Sequence, residues 1–146
     1  MQESIGFLLD DTARLYRRDF NARVRAIGTT ALQWRLMMRI ARFPGIRQSL
    51  LAEMIEVEPI TLSRMIVRLA DDGLIERRPD PADRRAWQLF LSSRGLSLMD
   101  GARPLIEEQA SIATDGLSPE ERTKLIALVE RVRANLSRRV RGKTRD

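Results

Sequence analysis

The face made by Ile5, Leu8, Leu9, Thr12, Leu15, Tyr16 and Phe20 repeats at intervals of three and four, and predicts an amphipathic helix over residues 3–27, closed by Gly28. Thr30 can cap a second helix that holds Leu32, Leu36, Met37 and Ile40 inside and stops at Pro44-Gly45. A short third helix, roughly 48–56, is expected to bury Leu50, Leu51, Met54 and Ile55. Pro59 suits the first turn of a fourth helix, which ends near Asp72 before Gly73. Its inward face is Leu62, Met65 or Ile66, and Leu69. Thr61, Arg64 and Arg68 fall on the other side.

The period then changes. LIERR and WQLFL are short and apolar-rich, and the polar, proline-containing stretch between them predicts a two-stranded hairpin with a long tip. Ser92 can cap a long helix through about Asp115, with a stripe of Leu96, Met99, Ile106, Ala110 and Ala113 and a bend at Pro104. Ser118-Pro119-Glu120-Glu121 is a strong helix start, with a capping box between Ser118 and Glu121. The last stripe is Leu125, Leu128, Val132, Leu136 and Val140. The expected fold class is mainly α with a small β-hairpin wing. A short helix, a tight turn, a second helix and a hairpin is the order of a winged helix-turn-helix. No internal repeat is visible.

Composition narrows the function. The 146 residues suit one domain, and the mix of 43% hydrophobic and 32% charged residues suits a soluble globular chain. No run approaches the roughly 18 apolar residues of a membrane span. The N-terminal segment lacks a basic start followed by an apolar run, so a cytoplasmic location is expected and no membrane partner. The chain has no cysteine and no histidine. Disulfides, thiol chemistry and the usual zinc sites are therefore excluded, and so is the commonest general base. No metal, cofactor or enzymatic activity is expected. Asp71-Asp72 has the look of a carboxylate pair, but adjacent helical residues point apart.

The net charge of +6 suggests an anionic partner. Position tempers this. From Glu58 to Leu91 the chain carries six arginines and six acids, so bulk charge there identifies nothing. Geometry says more. A helix in a DNA major groove would present Thr61, Ser63, Arg64 and Arg68 to base edges and phosphates. The start of the short helix, at Arg47, Gln48 and Ser49, could hold a phosphate. The hairpin tip would lie alongside and could place arginine in a minor groove.

These residues carry a family resemblance. TALQW, and then LAEMIEVEPITLSRMIVRLADDGLIERRPDPADRRAWQLFLSSRG, resemble the multiple-antibiotic-resistance regulator (MarR) family over residues 30–95. TLSR followed by L-x-x-x-G-L-I-x-R and D-P-x-D-R-R-A is specific as a combination. Thr29 and SSRG depart from the usual pattern at positions that look structural. The resemblance implies a winged helix-turn-helix at 30–91, dimerisation helices at 3–27 and 92–142, and a single MarR-like domain overall. It implies a homodimer on double-stranded DNA with a near-palindromic operator, repression, and a small aromatic or phenolic effector at an unknown site. It gives Asp83 the task of steadying the wing and Arg85 that of entering the minor groove, and leaves Arg84 for phosphate. The long apolar stripes of the outer helices independently favour a dimer, since one chain would leave them wet.

Blander readings stand beside these. Arg84 and Arg85 can be solvated, and Arg64 and Arg68 can pair with nearby acids. Trp34, Met37 and Met38 read first as core. The basic stretch from Arg131 to Arg145 reads equally as a DNA contact or a solvated end. A winged-helix module that binds protein and not DNA is the alternative function.

Overall fold

Helices begin where a side chain can satisfy the backbone N–H groups that a first turn leaves open. In the computed structural model, which describes residues 3–143 and their side chains as far as Arg138, α1 (Ile5–Arg25) starts at Ser4, whose Oγ accepts from the Phe7 N–H at 3.2 Å. At the head of α2 (Ala31–Arg42), Thr30 Oγ1 accepts from the Gln33 N–H at 3.1 Å, and Gln33 Oε1 accepts from the Thr30 N–H at 3.0 Å. The short α3 (Gln48–Ile55) has no side-chain cap. Glu56 follows it in the left-handed region, at φ 54°, and turns the chain towards α4 (Pro59–Asp71). Pro59 sits where a missing N–H is harmless.

Three strands follow the order β1-β3-β2, all antiparallel: β1 (Ile46–Arg47), β2 (Ile75–Asp80) and β3 (Asp83–Leu91). β1 is two residues long, too short to leave a period in the sequence. The hairpin is longer and its tip tighter than the sequence predicts, because β2 and β3 run up to Pro81-Ala82. Near the tip the ladder slips. Pro79 faces Trp87, but Asp80 faces Asp83, so β2 advances one residue while β3 advances four. Arg84, Arg85 and Ala86 are left opposite nothing on β2. A bulge of this kind re-aims the side chains it carries.

The chain divides into two compact units, Met1–Gln109 and Ala110–Asp146. The core of the first unit gathers Leu36, Met37 and Ile40 from α2, Leu51 and Ile55 from α3, Leu62, Ile66 and Leu69 from α4, and Ile75 and Leu89 from the sheet. Burial of each such side chain contributes about 1.5–3 kcal/mol. This fixes the face of α4, so Thr61, Arg64 and Arg68 are exposed as expected. Two expectations need correction. Leu50 is 49% exposed, and Ala52 takes its place beside Leu51 and Ile55. The long helix α5 (Ser93–Ala113) leaves Leu96 exposed and buries Gly95, Ala102 and Gln109. Small residues let its backbone approach closely. A Cβ on Gly95 would stand 2.1 Å from the Leu74 carbonyl oxygen. Ser92 seals that junction, its Oγ donating to the Gly73 carbonyl at 2.5 Å and accepting from the Gly95 N–H at 3.0 Å.

The second half of α1 is tied down. Val24 is buried and Phe20 meets Trp34 edge-on at 6.2 Å between centroids. Arg23 pairs with Asp19 and Glu108, each at 2.9 Å, and Gln109 Nε2 donates to the Tyr16 carbonyl at 2.9 Å. Ile5, Phe7, Leu8, Leu9, Leu15 and Tyr16 are exposed. In the second unit, α6 (Pro119–Lys143) opens on the expected capping box, with Glu121 N–H to Ser118 Oγ at 3.2 Å and Ser118 N–H to Glu121 Oε2 at 2.8 Å. Leu125, Ile126, Leu128, Val129 and Leu136 are exposed. The side chain of Val140 and most of the basic C-terminal stretch lie outside the described residues.

Candidate nucleic-acid interface

α3, α4 and the wing enclose an open groove of about 410 Å³. Five of the residues singled out in the sequence line it together: Gln48 and Ser49 from α3, Ser63 from α4, and Asp83 and Arg85 from β3. Ala52, Pro59, Leu62, Ala86 and Trp87 complete its wall. Gln48 Nε2 donates to Ser63 Oγ at 3.3 Å, so the start of α3 is tied to the side of α4. Thr61, Arg64 and Arg68 stand on the exposed face of α4, outside the groove lining. Of the five groove residues, only Ser63 shares α4 with them.

The four arginines of the hairpin separate into two kinds. Arg77 lies over the Trp87 ring at 4.4 Å and Arg78 over the Phe90 ring at 4.2 Å. Both contacts follow from the register. Arg77 faces Leu89 and Arg78 faces Gln88, so each aromatic ring is the diagonal neighbour, within reach of a long side chain. Arg78 also pairs with Glu76 at 2.7 Å. Arg84 and Arg85 are exposed and, among the described residues, make no ion pair. They are the two arginines that the bulge releases from the ladder.

Two carboxylates shape the tip. Asp83 Oδ1 accepts from the Arg85 backbone N–H at 3.0 Å, which bends the chain just before the arginine side chain leaves it. Asp80 is only 5% exposed. Its Oδ1 accepts from the Ala82 N–H at 2.8 Å, and its Oδ2 accepts from Arg47 Nε at 2.6 Å. The Ala82 N–H holds the Asp80 carboxyl below its ordinary range; burial opposes this and Arg47 adds to it. Arg47 therefore does not present an unengaged charge at the start of α3. The sequence does not point to this pair, since its members lie 33 residues apart. The Asp80-Pro81-Ala82-Asp83 spacing was visible, but the resemblance assigns a task only to its second carboxylate.

A second groove, about 450 Å³, lies against α2 and α5. Trp34, Met38, Leu96, Met99 and Ile106 give it apolar walls, and Asp100, Arg103 and Glu107 are charged residues on its lining. Trp34 and Met37 are core residues as expected, but Met38 is half exposed and faces this groove. Trp34 Nε1 is buried without a hydrogen-bond partner. Among the described residues there is no cluster of potential metal ligands, and no helix is long and apolar enough to cross a membrane.

Comparison with known proteins agrees with this arrangement. The model of the MarR family matches residues 29–87. A relative from Bacillus subtilis (strain 168), the uncharacterized HTH-type transcriptional regulator YybA, is 33% identical over 118 residues, covering 81% of this chain and 79% of its own. A crystal structure of MarR superimposes with a TM-score of 0.84 at 27% identity, over 97% of this chain and 96% of that one. A mutant MarR from E. coli complexed with operator DNA superimposes with a TM-score of 0.73 at 25% identity, over 88% and 92% of the two chains.

Proposed function

Because the chain belongs to the MarR family and is a transcriptional regulator, not an enzyme, we propose that it works as a homodimeric repressor that reads a near-palindromic operator and lets go when a small aromatic or phenolic effector binds. The observation that carries the DNA contact is the shared groove. Gln48, Ser49, Ser63, Asp83 and Arg85, chosen from three separate stretches of sequence, line one concavity. α4 enters the major groove with Thr61, Arg64 and Arg68 towards base edges and phosphates. Arg85 reaches the neighbouring minor groove, and Arg84 meets phosphate. Gln48 and Ser49, at the start of α3, face the backbone.

The exposed apolar residues of α1, and separately those of α6, support the dimer, since apolar stripes left wet on one chain are buried by a second copy. Two-fold symmetry would place two copies of α4 about one helical turn of DNA apart. The groove beside Trp34 and Met38, with its apolar walls, is the candidate effector site. A ligand there acts only if it binds the DNA-competent and released states unequally.

Selection of bound duplexes from a random pool, repeated with candidate phenols, tests the reading. Enrichment of a two-fold symmetric site that a phenol abolishes is expected. No enriched palindrome would sink it. The even charge balance of residues 58–91 favours a second reading, a protein-binding winged helix. Salt separates the two, because DNA affinity falls steeply as salt rises.

A further inference from the structure

The sheet order puts β1 and β2 on opposite sides of β3. Arg47 belongs to β1 and Asp80 ends β2, so their 2.6 Å ion pair reaches across the central strand. It crosses at the end of the sheet where Arg84, Arg85 and Ala86 have lost their partners on β2. Asp80 is fastened on both oxygens, to Arg47 and to the Ala82 N–H. At its other end, Arg47 is the residue on which α3 begins, directly before Gln48 and Ser49. The pair thus joins the start of the helix-turn-helix to the tip of the wing. An exposed pair of this kind would add little. Here the Asp80 side chain is 4% exposed beneath a half-exposed Arg47, so removing Arg47 takes away the charge partner of a nearly buried carboxylate and uncovers it, which loosens the tip.

We propose that Arg47 and Asp80 form a positioning pair, which holds the bulged wing tip at a set distance from α3 and α4 so that Arg85 and the helix-turn-helix meet one DNA face together. This rests on the DNA-binding reading above. It gives Arg47 a different task from a free phosphate contact, and the two tasks predict opposite behaviour from Asp80. A positioning pair makes the loss of either member equivalent. A phosphate contact makes Asp80 a competitor, whose loss frees Arg47 to bind more tightly.

The test is a double-mutant cycle with full-length protein on a selected operator, read by affinity, by salt slope and by hydroxyl-radical footprinting. Arg47→Ala and Asp80→Ala are each expected to weaken binding about tenfold, within the usual range for residues sharing one network. The double variant should be no weaker than the weaker single. Hydroxyl-radical protection where the wing meets the minor groove should fade in all three, while protection of guanine N7 from dimethyl sulfate in the major groove persists. Arg47→Lys keeps a cation beside Asp80 and should bind nearly as wild type. Asp80→Asn keeps the acceptor for Ala82 but loses the charge, so it too should weaken binding about tenfold, and it tests the pair even if the alanine variants fold poorly. Additive losses would overturn the proposal. So would an Arg47→Ala loss of about 0.9 in salt slope beside unchanged or tighter binding by Asp80→Asn, which would make Arg47 a phosphate contact. If wild type selects no DNA, the DNA-binding reading fails instead.

Discussion

Two glycines in α5 should respond to the same substitution with opposite signs. At Gly95 an added Cβ would stand 2.1 Å from the Leu74 carbonyl oxygen, where contact needs at least 3.0 Å, so about 0.9 Å of backbone must give. The obstacle is main chain, not a flexible side-chain end. The same carbonyl accepts from the Ser92 N–H at 3.1 Å, and moving it weakens that bond. Overpacking of this kind costs about 1–3 kcal/mol, and the weakened hydrogen bond adds about 1 kcal/mol. Alanine's better helix propensity returns up to about 1 kcal/mol. The net expectation for Gly95→Ala is a loss of about 2 kcal/mol. Gly101 has nothing within 4 Å of an added Cβ. Gly101→Ala should therefore stabilise by about 0.5–1 kcal/mol. Urea unfolding followed by far-UV circular dichroism measures both, at one fixed protein concentration because a dimer's stability depends on it. Gly95→Ala as stable as wild type with an unchanged m-value would refute the close approach. Since Leu74 joins α4 to β2, Gly95→Ala should also weaken operator binding.

Further expectations concern the interface. Arg85→Ala should weaken operator binding and remove about 0.9 of salt slope while the dimer survives gel filtration; wild-type affinity in a gel-shift titration would end its wing role. Arg64→Ala should cost about 1–3 kcal/mol of binding and relax preference at one operator position, whereas a uniform loss across sequences would move Arg64 to phosphate. Asp83→Ala should lower affinity, with Asp83→Asn restoring it, because only the acceptor for the Arg85 N–H is needed; equal defects in both would argue against that bond. Asp80 has a folded pKa below its ordinary 3.8, so its stabilisation is full above that value and is lost as pH falls through the depressed folded value. Wild type should therefore exceed Asp80→Asn in stability at pH 7 and lose that lead only below about pH 3.8. No lead at pH 7, or a lead already lost above pH 3.8, would contradict the shift.

What was legible in the sequence was whatever repeats over several turns or caps locally. Leu62, Ile66 and Leu69 set the face of α4, and with it the exposure of Thr61, Arg64 and Arg68. Ser92 and Ser118 marked their helix starts through bonds spanning three residues. β1 was illegible because two residues have no period. Its existence depends on β3, whose Leu89 and Gln88 face Ile46 and Arg47. The hairpin tip was misjudged for a related reason: proline and charge read as loop, yet the ladder runs to Asp80 and absorbs its irregularity as a bulge. The stripe assigned to α5 held at Met99 and Ile106, which pack against the core, but it missed Gly95 and Ala102, because a helix that must lie close to a carbonyl buries small residues that hydrophobicity does not flag.

The strand order also bears on how the protein behaves alone at high concentration. A hairpin that projects into solvent offers unpaired backbone groups to any other strand, which is how soluble sheets come to aggregate. Here β3 is flanked on both sides at Gln88 and Leu89, and both margins are blunted. β1 is two residues long. β2 carries Glu76, Arg77 and Arg78 and then Pro79, which has no N–H to donate. The charged end of β2, with Pro79 behind it, is thus a guard against strand addition. Replacing its charges with β-branched apolar residues would be expected to leave a folded wing that recruits its own kind.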